Sequence, residues 1–194
     1  MNLRQTEHGT HLPRRIHSAS ANAMPFSDCS VLPAELQRKD GTMVSQEAAL
    51  AGKVVLLFFS AEWCPACTRF VPILNTLYED SKENEQKLEV IYVSSDNDAA
   101  QKDHYMEKKH GDWLSVSFDD KAARDLLKTK YGCFAGKESS LFPGIKRRAG
   151  IPSIVIISPT GDELVHMDCD PPTEINRKGD AILDEWLQHQ WPTP

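Results

Sequence analysis

Three short apolar runs along the chain predict buried β-strands. They are Val54–Phe59, Leu88–Val93 and Ile154–Ile157. Each is rich in branched or aromatic side chains, which is typical of strands covered on both faces. Between and after them, apolar residues return at three- and four-residue spacing, which predicts amphipathic helices. Four helices are predicted: one after Cys67 (Phe70, Ile73, Leu74, Leu77, Tyr78), one capped by Asn97 or Asp98 that runs to about Lys109, one over Lys121–Tyr131 (Ala123, Leu126 and Leu127 inward) and a last one (Ile182, Leu183, Trp186, Leu187).

Turn signals add two hairpins to this alternation of strands and helices. Asp40-Gly41 separates two short segments and predicts an N-terminal β-hairpin. Pro159-Thr160-Gly161-Asp162 turns the third apolar run back into Glu163–Met167. The order of elements predicts an α/β fold, with a central mixed β-sheet flanked by helices.

Two cysteines stand where the first apolar run gives way to a helical pattern. Pro65 suits a first helical turn, so Cys64 is expected at a helix N-terminus, where unpaired N–H groups favour an anion. Such a position lowers the pKa of a thiol into a reactive range. Cys67 lies one turn further on, close enough to form a disulfide with Cys64. A zinc site would need four ligands, whereas the remaining cysteines and histidines are scattered without such spacing. We therefore predict a redox pair and no metal, and inert buried thiols remain the other alternative.

Four segments carry a resemblance to a known family. Besides Trp63-Cys64-Pro65-Ala66-Cys67 and the Phe58–Ala61 run before it, they are Val90–Asp96, Trp113–Asp120 and Gly150–Ser153. Together they resemble the thioredoxin superfamily, and its tryparedoxin and nucleoredoxin-like branch in particular, over roughly residues 30 to 167. The resemblance implies a thioredoxin fold, with Cys64 as nucleophile and Cys67 as resolving thiol. It also implies substrate-binding roles for Trp63, Pro65, Ile151 and Pro152. Of these, Pro152 is expected to follow a cis peptide bond, which would let the Ile151 backbone pair with an extended substrate.

Three positions depart from the family pattern. Phe58 stands where thioredoxins keep a buried carboxylate that accepts a proton from the second cysteine. In this chain, water, Glu62 or another group would have to accept that proton. Ala66 replaces the second proline of the closer branch and leaves the redox potential open. Tryparedoxins have an aromatic residue near the position of Ser95 that helps to hold their dithiol, and this chain has the small serine there. We therefore do not infer the same electron donor.

The connection from Gly132 to Gly150 is longer than the family pattern predicts. Loops of this length are usually functional or mobile. We hypothesise that Lys146, Arg147 and Arg148 shape the lip of the substrate groove and add positive potential there, the alternative being a solvated surface loop. Cys133 and Cys169 are expected to be small buried side chains, with a regulatory disulfide as the alternative, and Cys29 is expected to be free.

Composition narrows the class of protein. The 194 residues are 40% apolar and 26% charged, as in one globular domain. The formal charge of -6 gives no basic footprint for nucleic acid, and no apolar run approaches the roughly 18 residues of a membrane span. Five cysteines with one close pair favour a reducing compartment, cytoplasmic and also nuclear, with a mitochondrial alternative. Residues 1–23 are expected to be a flexible tail, with a weak transit-peptide alternative, before a domain over residues 24–194.

These observations together predict a monomeric thiol–disulfide oxidoreductase without a bound cofactor. Its substrates would be disulfides in proteins or small molecules, and its electrons would come from an external dithiol or reductase. A redox-sensing interaction protein is the alternative, in which the Cys64–Cys67 pair switches partner binding with negligible turnover.

Overall fold

The computed structural model describes residues 28–83 and 88–193 of the chain. The expected tail over residues 1–23 lies outside the described residues. The described part contains seven strands and six α-helices, which in chain order are β1 (Glu35–Gln37), β2 (Met43–Ser45), α1 (Gln46–Leu50), β3 (Val54–Ser60), α2 (Pro65–Glu83), β4 (Leu88–Ser94), α3 (Ala99–Lys109), β5 (Leu114–Ser115), α4 (Lys121–Tyr131), β6 (Ser153–Ile157), β7 (Glu163–Asp168), α5 (Thr173–Lys178) and α6 (Ala181–Trp186).

One sheet joins all seven strands in the order β2-β1-β5-β4-β3-β6-β7. β3 pairs in parallel with β4, and β4 with β5, whereas β6 and β7 continue the sheet in antiparallel fashion. β1 and β2 form the predicted antiparallel hairpin, in which Gly41 adopts a φ of +88°. The fold is therefore a thioredoxin fold with a mixed sheet, flanking helices and an N-terminal hairpin.

Both faces of β3 are covered, as its apolar run predicts. Every residue of the strand is buried. Because successive side chains point to opposite faces, alternate positions enter two different cores. Val54, Leu56 and Phe58 pack with α2, α3, α5 and α6, and Val55, Leu57 and Phe59 pack with α1 and α4. Burial on both sides fixes the carboxyl end of β3, where the cysteine pair begins.

The inward face of α4 differs from the prediction. Leu127 is buried, but Leu126 is 47% exposed, so its inward assignment was wrong. Lys128 takes the inward position instead, and its Nζ lies 2.6 Å from Glu138 Oε1. A buried ammonium is tolerated there because a carboxylate from the 132–150 connection pairs with it.

Candidate active site

Cys64 lies where β3 gives way to α2. After Ser60 the chain turns, with the Cys64 N–H donating to the Ala61 carbonyl at 3.2 Å, and α2 begins at Pro65. The N–H of Cys67, one of the first donors of the helix, donates to Cys64 Sγ at 3.3 Å. The sulfur thus meets a backbone N–H at the positive end of a helix dipole, an arrangement that stabilises a thiolate.

Cys67 lies one turn further into the helix and is completely buried, whereas Cys64 is 7% exposed. Burial raises the pKa of the Cys67 thiol, and its hydrogen bond with Cys64 raises it further. A hydrogen bond with Ser60 acts in the opposite direction on the same pKa. Both sulfurs are free thiols in this structure. The pair therefore combines an outer sulfur beside a backbone donor with an inner sulfur that favours its protonated form.

The chain before β6 covers the other side of the pair. The Ile151–Pro152 peptide bond is cis, as the resemblance implies. Cys64 Sγ donates to the Ile151 carbonyl at 3.6 Å, and Ile151 packs against the cluster of Ala61, Cys64 and Cys67. Ser153 Oγ donates to the Gly150 carbonyl at 2.7 Å and so braces this turn. The structure brings Ile151 and Pro152 to the cysteine pair from a segment more than eighty residues away in sequence.

Trp63 forms a third side of the site. Its indole Nε1–H donates to the Ser95 carbonyl at 2.9 Å, and the ring remains half-buried. The Nζ of Lys137 lies 3.8 Å from the centroid of that ring. Sequence reasoning gave Ser95 no role of its own and did not single out Lys137, because only the folded chain places the 132–150 connection beside Trp63.

A buried carboxylate lies under the site, although not at position 58. Phe58 is in the apolar core, as its side chain requires. Asp96, just beyond β4, accepts hydrogen bonds from the Glu62 N–H (2.7 Å), the Ser94 hydroxyl (2.8 Å) and the Tyr92 hydroxyl. Burial raises the pKa of Asp96, and these hydrogen bonds oppose the rise. Asp96 thereby anchors the backbone two residues before Cys64, a part that sequence reasoning missed although it quoted the segment.

Glu62, Arg147 and Arg148 each have a partner in the structure. The Glu62 carboxylate pairs with His104 at 2.5 Å. Arg148 pairs with Glu163 on β7 at 2.6 Å. Arg147 points the other way, with its guanidinium 3.5 Å from the Phe134 carbonyl. Of the two arginines, Arg147 lies beside the turn that leads to the cis bond. The hypothesis that Lys146, Arg147 and Arg148 shape the lip of the substrate groove stays a prediction.

The 132–150 connection is folded against the domain. Cys133 and Ala149 form a β-bridge at its two ends, and a 3-10 helix spans Gly136–Leu141. The rings of Phe134 and Phe142 pack edge to face, 5.0 Å apart between centroids. The connection is therefore a folded segment that forms part of the surface next to the cysteine pair.

The other three cysteines lie outside the cluster that Cys64 and Cys67 form with Ala61. Cys29, Cys133 and Cys169 are buried and are free thiols. Within residues 28–83 and 88–193, no group of three or more histidine, cysteine or acidic side chains could hold a metal ion. Over the same ranges, no helix is both long and apolar enough to cross a bilayer.

Comparisons with known proteins agree with this geometry. Residues 52–163 match the family described as Thioredoxin-like. Probable nucleoredoxin 1 of Arabidopsis thaliana is 32% identical over 76% of this chain and 25% of its own length. Human nucleoredoxin-like protein 1 is 32% identical over 72% of this chain and 59% of its own length. The chain thus spans only part of the curated relatives it matches.

Solved structures give the same result. Tryparedoxin from Trypanosoma brucei superposes with a TM-score of 0.60 at 26% identity, over 81% of this chain and 95% of that one. Thioredoxin from Wuchereria bancrofti gives a TM-score of 0.58 at 31% identity, over 81% and 96%.

The chain belongs to the thioredoxin-like family. Its relatives confirm the resemblance to the tryparedoxin and nucleoredoxin-like branch. At the level of the family, thiol–disulfide oxidoreductase chemistry is supported.

Proposed function

We propose that this chain reduces disulfides in proteins or small molecules through Cys64 and Cys67. The observation that carries the proposal is the 3.3 Å hydrogen bond from the Cys67 N–H to Cys64 Sγ, at a helix N-terminus. A thiolate is the form of cysteine that attacks disulfides, and this position favours it. The completely buried Cys67 cannot meet a bulky substrate first, so Cys64 is the attacking sulfur.

The reaction proceeds in two exchanges. The Cys64 thiolate attacks one sulfur of a substrate disulfide, the disulfide breaks, and the other substrate sulfur leaves as a thiolate that takes up a proton. Cys67 then loses its proton and attacks Cys64 Sγ, which releases the second substrate thiol. The substrate gains two electrons and two protons, and the protein ends with a Cys64–Cys67 disulfide. No bound cofactor is required, and an external dithiol or reductase returns the two electrons.

The residues around the pair orient the substrate in this proposal. Trp63 covers one side of Cys64, Pro65 begins the helix that supplies the donor, and the Ile151–Pro152 turn covers the other side. The Ile151 carbonyl, 3.6 Å from Cys64 Sγ, is a backbone group that an extended substrate can pair with in strand fashion. A reducing compartment, cytoplasmic or nuclear, suits such a dithiol.

Trapping tests the proposal. The Cys67→Ser variant lacks the resolving thiol, so mixed disulfides between Cys64 and its substrates should accumulate and run as reducible adducts on a gel. Cys64→Ser in the same background is the matched control and should form none. Adducts that persist without Cys64, or a wild-type protein without turnover of any disulfide, would contradict the proposal.

A redox-sensing interaction protein is the second candidate, and one observation favours it. The folded 132–150 connection contacts Trp63 through Lys137. A change in the redox state of the cysteine pair therefore takes place next to a folded surface to which a partner would bind. In that case oxidation of the pair should change the affinity for one or two partners. The same trapping experiment distinguishes the two functions, because a dedicated binder would hold those partners whether or not Cys64 is present.

A further inference from the structure

Lys137 carries a positive charge to the edge of the cysteine site. Its Nζ lies 3.8 Å from the centroid of the Trp63 ring and donates to Asn97 Oδ1 at 2.6 Å. Asn97 is neutral, and no carboxylate in the described part of the chain forms an ion pair with Lys137. The side chain is exposed. Its charge is therefore open to a ligand that approaches Trp63.

The position of Lys137 is set by its neighbour Glu138. Glu138 Oε2 accepts hydrogen bonds from the Ser95 hydroxyl (2.7 Å) and from the Ala135 N–H (2.9 Å), and its Oε1 pairs with Lys128 at 2.6 Å. Lys128 is almost completely buried. Ser95 also accepts the Trp63 indole hydrogen bond on its carbonyl. A charged, mostly buried network thus joins the 3-10 helix to the residue that holds Trp63, and Lys137 is fixed above the ring.

Arg147 extends the positive charge from Lys137 toward the cis peptide bond. A Cβ built on Gly136 would lie 3.6 Å from Arg147 Nη1, and one built on Gly150 would lie 3.3 Å from the same atom. Gly136 precedes Lys137, and Gly150 precedes Ile151. No ion pair within residues 28–83 and 88–193 includes Arg147. We call Lys137 and Arg147 together the basic edge.

The acids next to the basic edge are already engaged. Glu138 pairs with the buried Lys128, the Glu62 carboxylate is hydrogen-bonded to His104, and Asp96 is buried and hydrogen-bonded to the Glu62 N–H and to Ser94. Although the whole chain carries a formal charge of -6, the edge between Trp63 and Ile151 therefore presents positive charge. Charges within about a Debye length act on a ligand, so the local sign decides which substrates are attracted.

We infer that the basic edge selects polypeptide disulfides whose cysteine is flanked by acidic residues. The inference rests on the proposed function, since it names the substrate class of the same site. An extended chain that pairs with the Ile151 backbone runs along the edge and brings its side chains to Lys137 and Arg147. A carboxylate there gains an exposed ion pair, and an amide of the same shape does not.

The test compares three oxidised peptides of identical length. Their residues flanking the disulfide are acidic (Asp and Glu), the matching amides (Asn and Gln), or Lys. Wild-type protein should show the highest kcat/KM on the acidic peptide, by about two- to fivefold over the amide peptide. That preference should shrink with added salt. Lys137→Glu and Arg147→Glu should each abolish or reverse it. Lys82→Glu, the same charge change in the last turn of α2 and so at the opposite end of that helix from Cys64, should leave the order of the three peptides intact.

Two further measurements separate this inference from the proposed function. Turnover of the uncharged 2-hydroxyethyl disulfide reports the cysteine chemistry alone, so the kcat/KM of each variant on the peptides is divided by its turnover of this disulfide. Titration of the Cys64→Ser protein with each peptide reports binding without turnover. Equal kcat/KM and equal binding for acidic and amide peptides would overturn the inference while turnover of the small disulfide upholds the function. A preference for glutathione disulfide alone, a small polyanion, would overturn the polypeptide class. If no disulfide is turned over, the binding titration still decides the inference.

Discussion

Two kinds of buried cysteine occur in the described part of this protein, and they differ in their place relative to α2. Cys64 Sγ accepts an N–H from the first turn of α2, besides donating to the Ile151 carbonyl. The sulfurs of Cys133 and Cys169 donate to the carbonyls of Tyr131 (3.4 Å), at the end of α4, and Met167 (3.7 Å), on β7. An N–H at the positive end of a helix favours the thiolate of the sulfur that accepts it. The helix N–H beside Cys64 therefore distinguishes the candidate nucleophile.

The surroundings reinforce this difference. Burial raises the pKa of Cys133 to about 12 and raises that of Cys169 as well. Cys133 lies in the core that packs α1 and α4, and Cys169 lies in the opposite core. Both therefore act as small apolar side chains, and Cys64 lies at the edge where β3, α2 and the cis-proline turn meet.

The largest expected difference between the two kinds of cysteine is in turnover. Cys64→Ser should reduce disulfide turnover to the uncatalysed background, because the attacking sulfur is lost. Cys133→Ala should leave turnover within about twofold of the wild type, since its sulfur never meets substrate. Steady-state reduction of a peptide disulfide measures both. A Cys133→Ala variant as inactive as Cys64→Ser would show that Cys133 is also needed for turnover.

For stability we expect the opposite order, with a larger loss from a substitution at a core cysteine than from one at Cys64. Cys169→Ser places a hydroxyl in an apolar core and should lower the free energy of unfolding by about 1–3 kcal/mol. Cys64→Ser, at the rim of the site, should lower it by less than about 1 kcal/mol. Urea unfolding at neutral pH under reducing conditions compares the two variants directly. Equal losses would mean that Cys64 is held as tightly in the core as Cys169.

Alkaline stability gives a smaller effect that isolates Cys133. Its thiol has a pKa of about 12 in the folded protein against an ordinary value of 9.0. Between these values the unfolded chain has lost the proton that the folded chain keeps, so rising pH favours unfolding. Between pH 8 and pH 10, this difference in proton binding at Cys133 should lower the free energy of unfolding by about 1.4 kcal/mol. Urea unfolding at both pH values should show a loss smaller by that amount in Cys133→Ala. An identical pH dependence in the two proteins would exclude a raised pKa.

The sequence allows much of this arrangement to be predicted, because local patterns decide it. The apolar run of β3, the turn at Asp40-Gly41 and the helix after Cys67 each follow from a few neighbouring residues. The cis bond at Pro152 follows from the family resemblance alone, since X-Pro bonds are by default trans. Residue types and spacing therefore suffice for these three elements and for the place of the two cysteines.

What sequence reasoning misses depends on contacts between distant segments. The helical spacing predicts that Leu126 points inward. Lys128 is buried instead, because Glu138, ten residues further along the chain, pairs with its ammonium group. Lys137 has no local signal, and only the folded connection places it over Trp63. β5 is two residues long and pairs with β1 and β4, so no periodicity reveals it. In each case the partner that decides the outcome comes from elsewhere in the chain.

The most direct test of the central claim is a redox titration of the wild-type protein in dithiol/disulfide buffers, with alkylation and mass spectrometry reporting each cysteine. We predict that Cys64 and Cys67 become protected together in a reversible two-electron step, with a potential of roughly -270 to -200 mV if the pair is a reductase of the thioredoxin kind. Cys29, Cys133 and Cys169 should remain unpaired at every potential, alkylated only after the protein is unfolded. A Cys64 that never pairs with Cys67, or that pairs with one of the other three cysteines, would contradict the account.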